Sequence, residues 1–263
     1  MQTGSFAMKM DEYYAAADDW NADADDYNPD ERIRFEKGSR IIRELTANQP
    51  GTITVLDAAC GSGLLGEYLC DERFELHGLE LSDELVAAAR GRFRSVQRHD
   101  LDRPWPVDDG GVDVVFAGAV LEHIFDYHAF INEANRVLKP GGLFHVQVPN
   151  LGCWREIRRL LLRKQPHWMK DIQHVHAWTL SWLTAIFRDH GFEVVDSECD
   201  RLVPPLWRNL RCRPLERLLA SWGSVLLVTG RKTSRKVVVD RFLSAKFPRH
   251  TVRSSRWIEV EAA

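Results

Sequence analysis

A glycine-rich segment between a predicted strand and a predicted helix constrains the fold of this chain more than any other feature. Residues 61–66 read Gly-Ser-Gly-Leu-Leu-Gly, which is a G-x-G-x-x-G pattern. The apolar run ITVLD at 53–57 predicts a buried strand before it, and a helix is predicted near 63–71. Glu80 follows nineteen residues after the first glycine. Together these features predict a nucleotide-binding loop in an α/β domain.

Strands and helices alternate along the rest of the chain, which predicts βαβ units and a mainly parallel sheet. Six further strands are predicted at 74–81, 94–98, 112–119, 143–149, 192–199 and 224–230. Helices are predicted at 83–90 with Ser82 as N-cap, at 127–138 ending in a Lys-Pro-Gly-Gly turn, at 179–190 and near 213–220. The last strand could run antiparallel. The predicted fold class is α/β, a Rossmann-like seven-stranded sheet with helical cap segments.

Composition excludes several classes of protein. The 263 residues are 44% hydrophobic and contain no run of about eighteen apolar residues, so no membrane span is expected. The N-terminus lacks the basic start and apolar stretch of a secretory signal. The five cysteines are scattered without CxxC spacing, which argues against a zinc site and a disulfide framework. These features predict a cytoplasmic protein.

The net charge of −3 conceals an uneven distribution. Nine acidic residues and no basic ones occur within 11–31, whereas 231–263 has a net charge of about +6. Residues 1–230 therefore carry a net charge of about −9, which disfavours nucleic acid as a partner of this part of the chain. In chain order, the sequence predicts an acidic and aromatic cap arm and helix at 1–47, a domain at 48–230 with cap insertions at 151–177 and 201–222, and a basic tail at 231–263.

The charge beside the glycine loop favours a cationic ligand. The first strand ends in Asp57, and three residues separate this acid from Gly61. A carboxylate in this place would repel the pyrophosphate of NAD and attract a cation. S-adenosylmethionine carries a sulfonium, an ammonium and a ribose but no phosphate. Electrostatics therefore favour S-adenosylmethionine over a dinucleotide.

Five motifs in order resemble those of the class I S-adenosylmethionine-dependent methyltransferases. They are VLDAACGSG (55–63), GLELS (78–82), HDL (99–101), VDVVFAGAVLEHIFD (112–126) and RVLKPGGLFHVQVPN (136–150). The resemblance covers roughly 53–150, continues more weakly to 230, and implies the strand order 3-2-1-4-5-7-6. Ala59 departs from the family pattern, which usually has glycine there. Because alanine disfavours positive φ, the loop is expected to differ slightly at Ala59.

The resemblance also implies which residues bind the cofactor. Those on the methionine side would be Asp57, Ala59, Gly61, Gly63, Ala117 and Gly118. Those on the ribose and adenine side would be Glu80, which would bind the ribose hydroxyls, and Leu81, Asp100 and Leu101 around the adenine. The alternatives are a purely structural glycine turn, a solvated strand-end acid at Glu80 and a surface-turn carboxylate at Asp100.

Three histidines are candidate general bases, because methylation of an oxygen or nitrogen needs a base that works near neutral pH. His123 lies in LEHI, where the family often places a histidine. His174 and His176 lie in DIQHVHAWT, and His174 with Trp178 is similar to an H-x-x-x-aromatic-Thr pattern of related methyltransferases. A structural cap or core hydrogen bond is the alternative for each histidine.

No metal site is expected at Glu122-His123. The quinone-biosynthesis O-methyltransferases resemble this stretch and use two glutamates and a histidine there. Ala119 stands here in place of one of those glutamates. The donor set is therefore incomplete by sequence.

The predicted function is S-adenosylmethionine-dependent methylation, favouring oxygen, of a small-molecule or glycan- or lipid-linked acceptor. One alternative is a non-catalytic partner protein, because PNLGCWREIRRLL (149–161) resembles a segment of a protein associated with bacterial methionine biosynthesis. A less favoured alternative is an NAD-dependent oxidoreductase.

Within the cap segment, Trp154, Ile157 and Leu161 lie on one side of a basic amphipathic helix. This helix either packs on the domain as a lid or provides a surface for an anionic or lipid-linked substrate, and peripheral membrane contact is possible.

Overall fold

One sheet of seven strands organises the protein, whose computed structural model describes residues 29–170, 173–202, 212–237 and 258–260. The strands are β1 (Ile53–Ala58), β2 (Phe74–Glu80), β3 (Ser95–Arg98), β4 (Val112–Gly118), β5 (Leu138–Pro149), β6 (Phe192–Cys199) and β7 (Val225–Lys232). Their order is β3-β2-β1-β4-β5-β7-β6. The first five pair in parallel, and β7 runs antiparallel to both β5 and β6. The predicted fold class, strand order and antiparallel last strand are confirmed.

Helices connect and cover the strands. Within the described ranges they are α1 (Pro29–Leu45), α2 (Leu65–Tyr68), α3 (Asp83–Ala89), α4 (Tyr127–Val137), α5 (Trp154–Leu161), α6 (Leu180–Asp189) and α7 (Arg213–Leu218), with 3₁₀ turns at Trp168–Lys170 and Ala220–Trp222. The predicted N-cap of α3 is confirmed, since the Ser82 hydroxyl accepts the N–H of Leu85. None of these helices is both long and apolar enough to cross a bilayer.

Two helix ends differ from the sequence prediction. α2 is shorter than predicted, because the chain leaves the helical conformation at Leu69. α4 ends before the Lys-Pro-Gly-Gly turn, because Leu138 is already extended and pairs with Val112. The glycine turn, with Gly141 at φ +76°, therefore lies within the start of β5.

The predicted terminal segments are described only in part. Residues 1–28 of the arm, and 238–257 and 261–263 of the tail, lie outside the described residues. The two described parts of the tail, β8 (Arg235–Val237) and β9 (Ile258–Val260), pair as antiparallel strands.

The core covers both faces of the sheet, as parallel sheets require. Leu56, Val115 and Phe144 pack on one face, and Val55 and Val114 pack on the other. Because β1, β2 and β4 are parallel, their carboxyl ends meet at one edge. The segments that follow these strands therefore meet at that edge, which is where open α/β sheets bind their ligands.

α1 is held against the sheet by close packing and ion pairs. A Cβ at Gly38 would lie only 2.5 Å from the side-chain nitrogen of Gln147, so glycine allows the helix to approach β5. Arg40 donates to the buried carboxylate of Glu198 at 2.7 Å, which also accepts from Arg213 and Arg217. Burial alone would raise the pKa of Glu198, but these guanidinium partners lower it. The network fastens α1 to β6 and α7.

Candidate functional site

The glycine loop is tied to the end of β2 by backbone hydrogen bonds. The N–H groups of Ala59 and Cys60 both donate to the carbonyl of Leu79, at 2.9 and 3.1 Å. Gly61 and Gly63 have φ values of +55° and +89°, which glycine adopts without a steric penalty. The loop is therefore a tight turn at the carboxyl edge of the sheet, as the sequence predicts.

Ala59 adopts a left-handed backbone, with φ of +71°. The sequence predicted a slightly different loop at this residue because alanine disfavours positive φ. The structure instead places alanine itself in the glycine-type conformation, where the bonds to the carbonyl of Leu79 hold the loop. Ala59 is therefore a point of backbone strain beside the candidate site.

Substituting Ala59→Gly should raise the free energy of unfolding by about 1 kcal/mol, because glycine removes the Cβ contact that disfavours this conformation. Urea denaturation measures the change. The control is Ala58→Gly, in extended and fully buried backbone, which should lower stability. A less stable Ala59→Gly protein would contradict the assignment of strain.

Glu80 joins the glycine loop to the start of the next segment. Its buried carboxylate accepts three backbone N–H groups: Gly61 at 2.9 Å, Leu81 at 2.7 Å and Ser82 at 3.0 Å. A carboxylate has about four acceptor positions, so one remains for a ligand. These contacts and the burial of Glu80 exclude the alternative of a solvated strand-end acid.

Asp57 is a buried acid, and within the described part of the chain no positive charge compensates it. It is almost fully buried, and its Oδ2 has no hydrogen-bond partner among the described residues. Burial, and then the nearby charge of Glu80, raise the pKa of Asp57 well above its ordinary value. Two adjacent carboxylates in this position fit a cationic ligand with hydroxyl groups and oppose a pyrophosphate.

The contacts of the residues expected around the adenine do not by themselves identify a binding site. Asp100 follows β3, where its carboxylate accepts the N–H of Asp102 at 3.0 Å and lies 3.3 Å from Nε of Arg103. These contacts match the surface-turn alternative for Asp100. Leu81 and Leu101 are both partly buried, and the Leu101 carbonyl accepts from Nε1 of Trp105 at 3.4 Å. A role for these residues in binding adenine stays a prediction.

The two residues expected on the methionine side at the end of β4 differ from each other. The side chain of Ala117 lies in the hydrophobic core, so only its backbone can face a ligand. Gly118 is in close contact with two aromatic rings, and a Cβ there would lie 2.8 Å from Phe116 and 3.2 Å from Phe35. Glycine at 118 therefore has a packing reason of its own.

Two of the three predicted histidines come together after β4. The rings of His123 and His174 have centroids 4.8 Å apart. The N–H of Val175 and that of His176 donate to the carbonyl of Glu122, at 2.9 and 3.2 Å, and fasten the cap segment to this turn. This backbone pairing brings His174 to the carboxyl edge of the sheet, as the sequence predicts.

Backbone carbonyls fix the tautomers of both rings. Nδ1 of His174 donates to the carbonyl of Trp168 at 2.8 Å, and Nδ1 of His123 donates to that of Gln173 at 3.3 Å. Since a carbonyl only accepts, the proton of each neutral ring lies on Nδ1. Each Nε2 is then the basic nitrogen of its ring.

His176 is oriented differently. Its Nε2 donates to the carbonyl of Phe125 at 3.1 Å. Its ring lies edge-on to that of Tyr127, with ring centroids 4.9 Å apart. These contacts match the structural alternative for His176, because they fix Nε2–H on a backbone carbonyl and the ring against Tyr127, which leaves Nδ1 as the basic nitrogen. The structure therefore separates His176 from the pair formed by His123 and His174.

Glu122, His123 and His174 together could hold a metal ion. One ligand atom from each lies within 4.8 Å of the others, and Glu122 and His123 are buried. The expectation of no metal site rested on Ala119, but the third donor comes from the cap segment. Sequence spacing does not reveal this set, because only tertiary structure brings His174 to residues 122 and 123. Two imidazoles and a carboxylate suit zinc and similar transition metals.

Comparison with known proteins supports the motif assignment. A methyltransferase-domain family model matches residues 31–197. A probable S-adenosylmethionine-dependent methyltransferase from Mycolicibacterium smegmatis is 33% identical over 144 residues, covering 54% of this chain and 53% of the relative. A ubiquinone biosynthesis O-methyltransferase from Paramagnetospirillum magneticum is 35% identical over 96 residues, covering 35% and 39%. The chain thus spans about half, or less, of these relatives.

The sheet also matches solved structures. A crystal structure described as an S-adenosylmethionine-dependent methyltransferase, possibly a histamine N-methyltransferase, from Thermotoga maritima aligns with a TM-score of 0.55. Its sequence is 15% identical, and the alignment covers 85% of this chain and 97% of that one. At such identity the similarity shows the fold alone. The family match extends over more than half of the chain and includes every motif identified above, so the protein belongs to the methyltransferase-domain family.

Proposed function

We propose that this protein is an S-adenosylmethionine-dependent methyltransferase that methylates an oxygen of a small-molecule or glycan- or lipid-linked acceptor. The observation that carries the proposal is the pair of buried carboxylates at the glycine loop. Among the described residues, Oδ2 of Asp57 has no hydrogen-bond partner, and the carboxylate of Glu80 accepts from three backbone N–H groups, which leaves one acceptor position for a ligand.

These two residues fit the proposed cofactor. A positive group of S-adenosylmethionine would compensate the charge of Asp57, and a ribose hydroxyl would donate to Glu80. The pyrophosphate of NAD would instead meet two carboxylates, so the oxidoreductase alternative is disfavoured. When bound, the cofactor supplies an electrophilic methyl group with a good leaving group.

The histidine pair provides the base that an oxygen acceptor needs. A neutral hydroxyl is a poor nucleophile and becomes a good one when a base takes its proton. Nε2 of His174 would take that proton, while Nδ1–H stays on the carbonyl of Trp168 and keeps the ring oriented. His123, with the same tautomer, is the second candidate. Both lie at the sheet edge where the glycine loop ends.

Asp57→Asn should affect the free protein and the complex in opposite directions. The raised pKa means that an ionised Asp57 costs stability at neutral pH, so the variant should have a higher free energy of unfolding than the wild type. The same change should weaken cofactor binding, because the cation loses its counter-charge. Denaturation and calorimetric titration at pH 7 measure the two effects.

The sign of the pH dependence provides a further check on Asp57. Its pKa is higher in the folded than in the unfolded state, so the wild type loses stability as pH rises from the ordinary carboxyl pKa toward the raised one. The stability advantage of Asp57→Asn should therefore shrink as pH falls toward 4. An advantage that stays constant over this range would contradict the assignment.

The cysteines support a cytoplasmic location, which we also propose. All five are free. Burial, and then the charge of Asp200, raise the pKa of Cys199 to about 12, and burial raises the pKa of Cys153. Such protonated thiols pack as small apolar groups and are suited to a reducing compartment.

Isotope-labelled S-adenosylmethionine tests the proposed reaction. The protein and the labelled cofactor are added to a cell extract, and small molecules, glycans and lipids are searched by mass spectrometry for labelled methyl groups. The proposal predicts a labelled product that is absent with Asp57→Asn and absent without protein. Absence of any labelled product, together with stable co-purification of another protein, would favour the non-catalytic partner alternative.

A further inference from the structure

α5 turns its apolar side toward solvent and buries a charged residue. Ile157, Leu160 and Leu161 are 36%, 49% and 73% exposed, and Leu162, which follows the helix, is 58% exposed. Glu156, one helical turn before Leu160, is only 3% exposed and accepts from Arg155 at 3.0 Å and from the N–H of His167. Of the apolar side predicted from the sequence, Trp154 and Ile157 are partly covered, whereas Leu161 is largely exposed.

A second element extends this apolar area. Trp222, in the 3₁₀ turn after α7, is 51% exposed and stacks against Trp154 at the start of α5, with ring centroids 6.5 Å apart. Exposed apolar residues from two separate elements are unusual on a monomeric surface and indicate an interaction site. We call Ile157, Leu160, Leu161, Leu162 and Trp222 the α5 surface.

Positive charge borders the α5 surface. Arg158 lies on the helix and Arg163 and Lys164 follow it, and all three side chains are exposed. No acidic residue occurs between 157 and 164. The protein as a whole has a net charge of −3, so this segment is locally opposite in sign. An anionic ligand surface would complement it.

We propose that the α5 surface binds an anionic lipid bilayer. Leucine and tryptophan side chains would enter the boundary between headgroups and acyl chains, while the arginines and lysine would pair with lipid phosphates. A second copy of this chain fits less well, because a two-fold contact through α5 would set identical cations against each other. The proposal does not depend on the proposed function, since the α5 surface shares no residue with the glycine loop or the histidine pair.

The position of α5 gives this contact a consequence for the candidate site. α5 follows β5 directly after the carboxyl edge of the sheet, where the loop and the histidines also lie. Binding through α5 would therefore bring that edge toward the membrane.

Vesicle flotation with the full chain tests the proposal. Vesicles of phosphatidylcholine alone are compared with vesicles of equal parts phosphatidylcholine and phosphatidylglycerol, at low and high salt. We expect binding to the anionic vesicles that weakens with salt. The double variant Leu161→Ser/Leu162→Ser should weaken partitioning by about tenfold or more. Arg158→Ser/Arg163→Ser should weaken it by about fivefold for each charge removed.

The matched control removes two arginines elsewhere. Arg90 and Arg94 are also exposed, and Arg90→Ser/Arg94→Ser should float like the wild type. All substituted side chains are exposed, so thermal unfolding should stay close to that of the wild type. Absence of flotation with anionic vesicles at low salt, or equal flotation of the wild type and the leucine variant, would overturn the proposal. A dimer that dissociates only in the leucine variant, without vesicle binding, would also overturn it and assign the α5 surface to a second copy.

Discussion

Replacing His174 with alanine is expected to lower turnover by about 10²–10⁴-fold while leaving cofactor affinity unchanged, as loss of a general base would do. His174 lies outside the glycine loop, and the carbonyl of Trp168 fixes the proton of its ring on Nδ1. The other nitrogen can therefore accept the proton of an acceptor hydroxyl.

Steady-state kinetics separate the possible roles of His174. If it only shapes the cap segment, the Michaelis constant should rise and turnover should hold. His176→Ala is the matched control, because His176 lies two residues away and its Nε2 donates to the carbonyl of Phe125. Near-normal kinetics of His174→Ala with a slow His123→Ala variant would move the base to His123.

Chelation separates a base from a metal ligand. Glu122, His123 and His174 form a possible donor set, so His174→Ala would also impair a metal-dependent enzyme. A general base predicts full activity after dialysis against EDTA. Activity that is lost on dialysis and restored by zinc or manganese would assign the histidines to a metal instead.

Replacing Glu80 with alanine is expected to weaken cofactor binding by roughly 1.5–3 kcal/mol, through loss of charged hydrogen bonds to the ribose. The structure adds a second consequence. Removing the carboxylate leaves the backbone N–H groups of Gly61, Leu81 and Ser82 without their acceptor. The free energy of unfolding should therefore fall by about 1–3 kcal/mol as well.

Two measurements are needed for Glu80, because lower affinity alone could reflect a disordered loop. Calorimetric titration gives the affinity, and urea denaturation of the free protein gives the stability. Glu80→Gln retains one acceptor oxygen and should lose less of both quantities. Unchanged stability in Glu80→Ala would contradict the role in holding the loop, and unchanged affinity would contradict the ribose assignment.

The strands and the loop could be predicted because local sequence determines them. β1 and β4 are buried on both faces and therefore appear as mostly apolar runs. The N-cap Ser82 and the glycines of the loop act within a few residues of their own positions. The strand order could not be derived from periodicity and came from the family resemblance.

Features that depend on distant parts of the chain were missed. Nothing in the sequence near Ala59 shows that bonds to Leu79 hold it at positive φ. The approach of His174 to Glu122 and His123 arises from backbone pairing between segments far apart in the chain. The outward orientation of α5 was equally hidden, because periodicity identifies an apolar side but not the direction in which it points.

The most direct test of the central claim is calorimetric titration of the full chain with S-adenosylmethionine and, separately, with NAD. If the buried acids form a cofactor site, S-adenosylmethionine should bind at one site per chain, Asp57→Asn and Glu80→Ala should both weaken it, and NAD should produce no binding heat. Binding of NAD without binding of S-adenosylmethionine, or S-adenosylmethionine affinity that neither substitution changes, would contradict the assignment of Asp57 and Glu80.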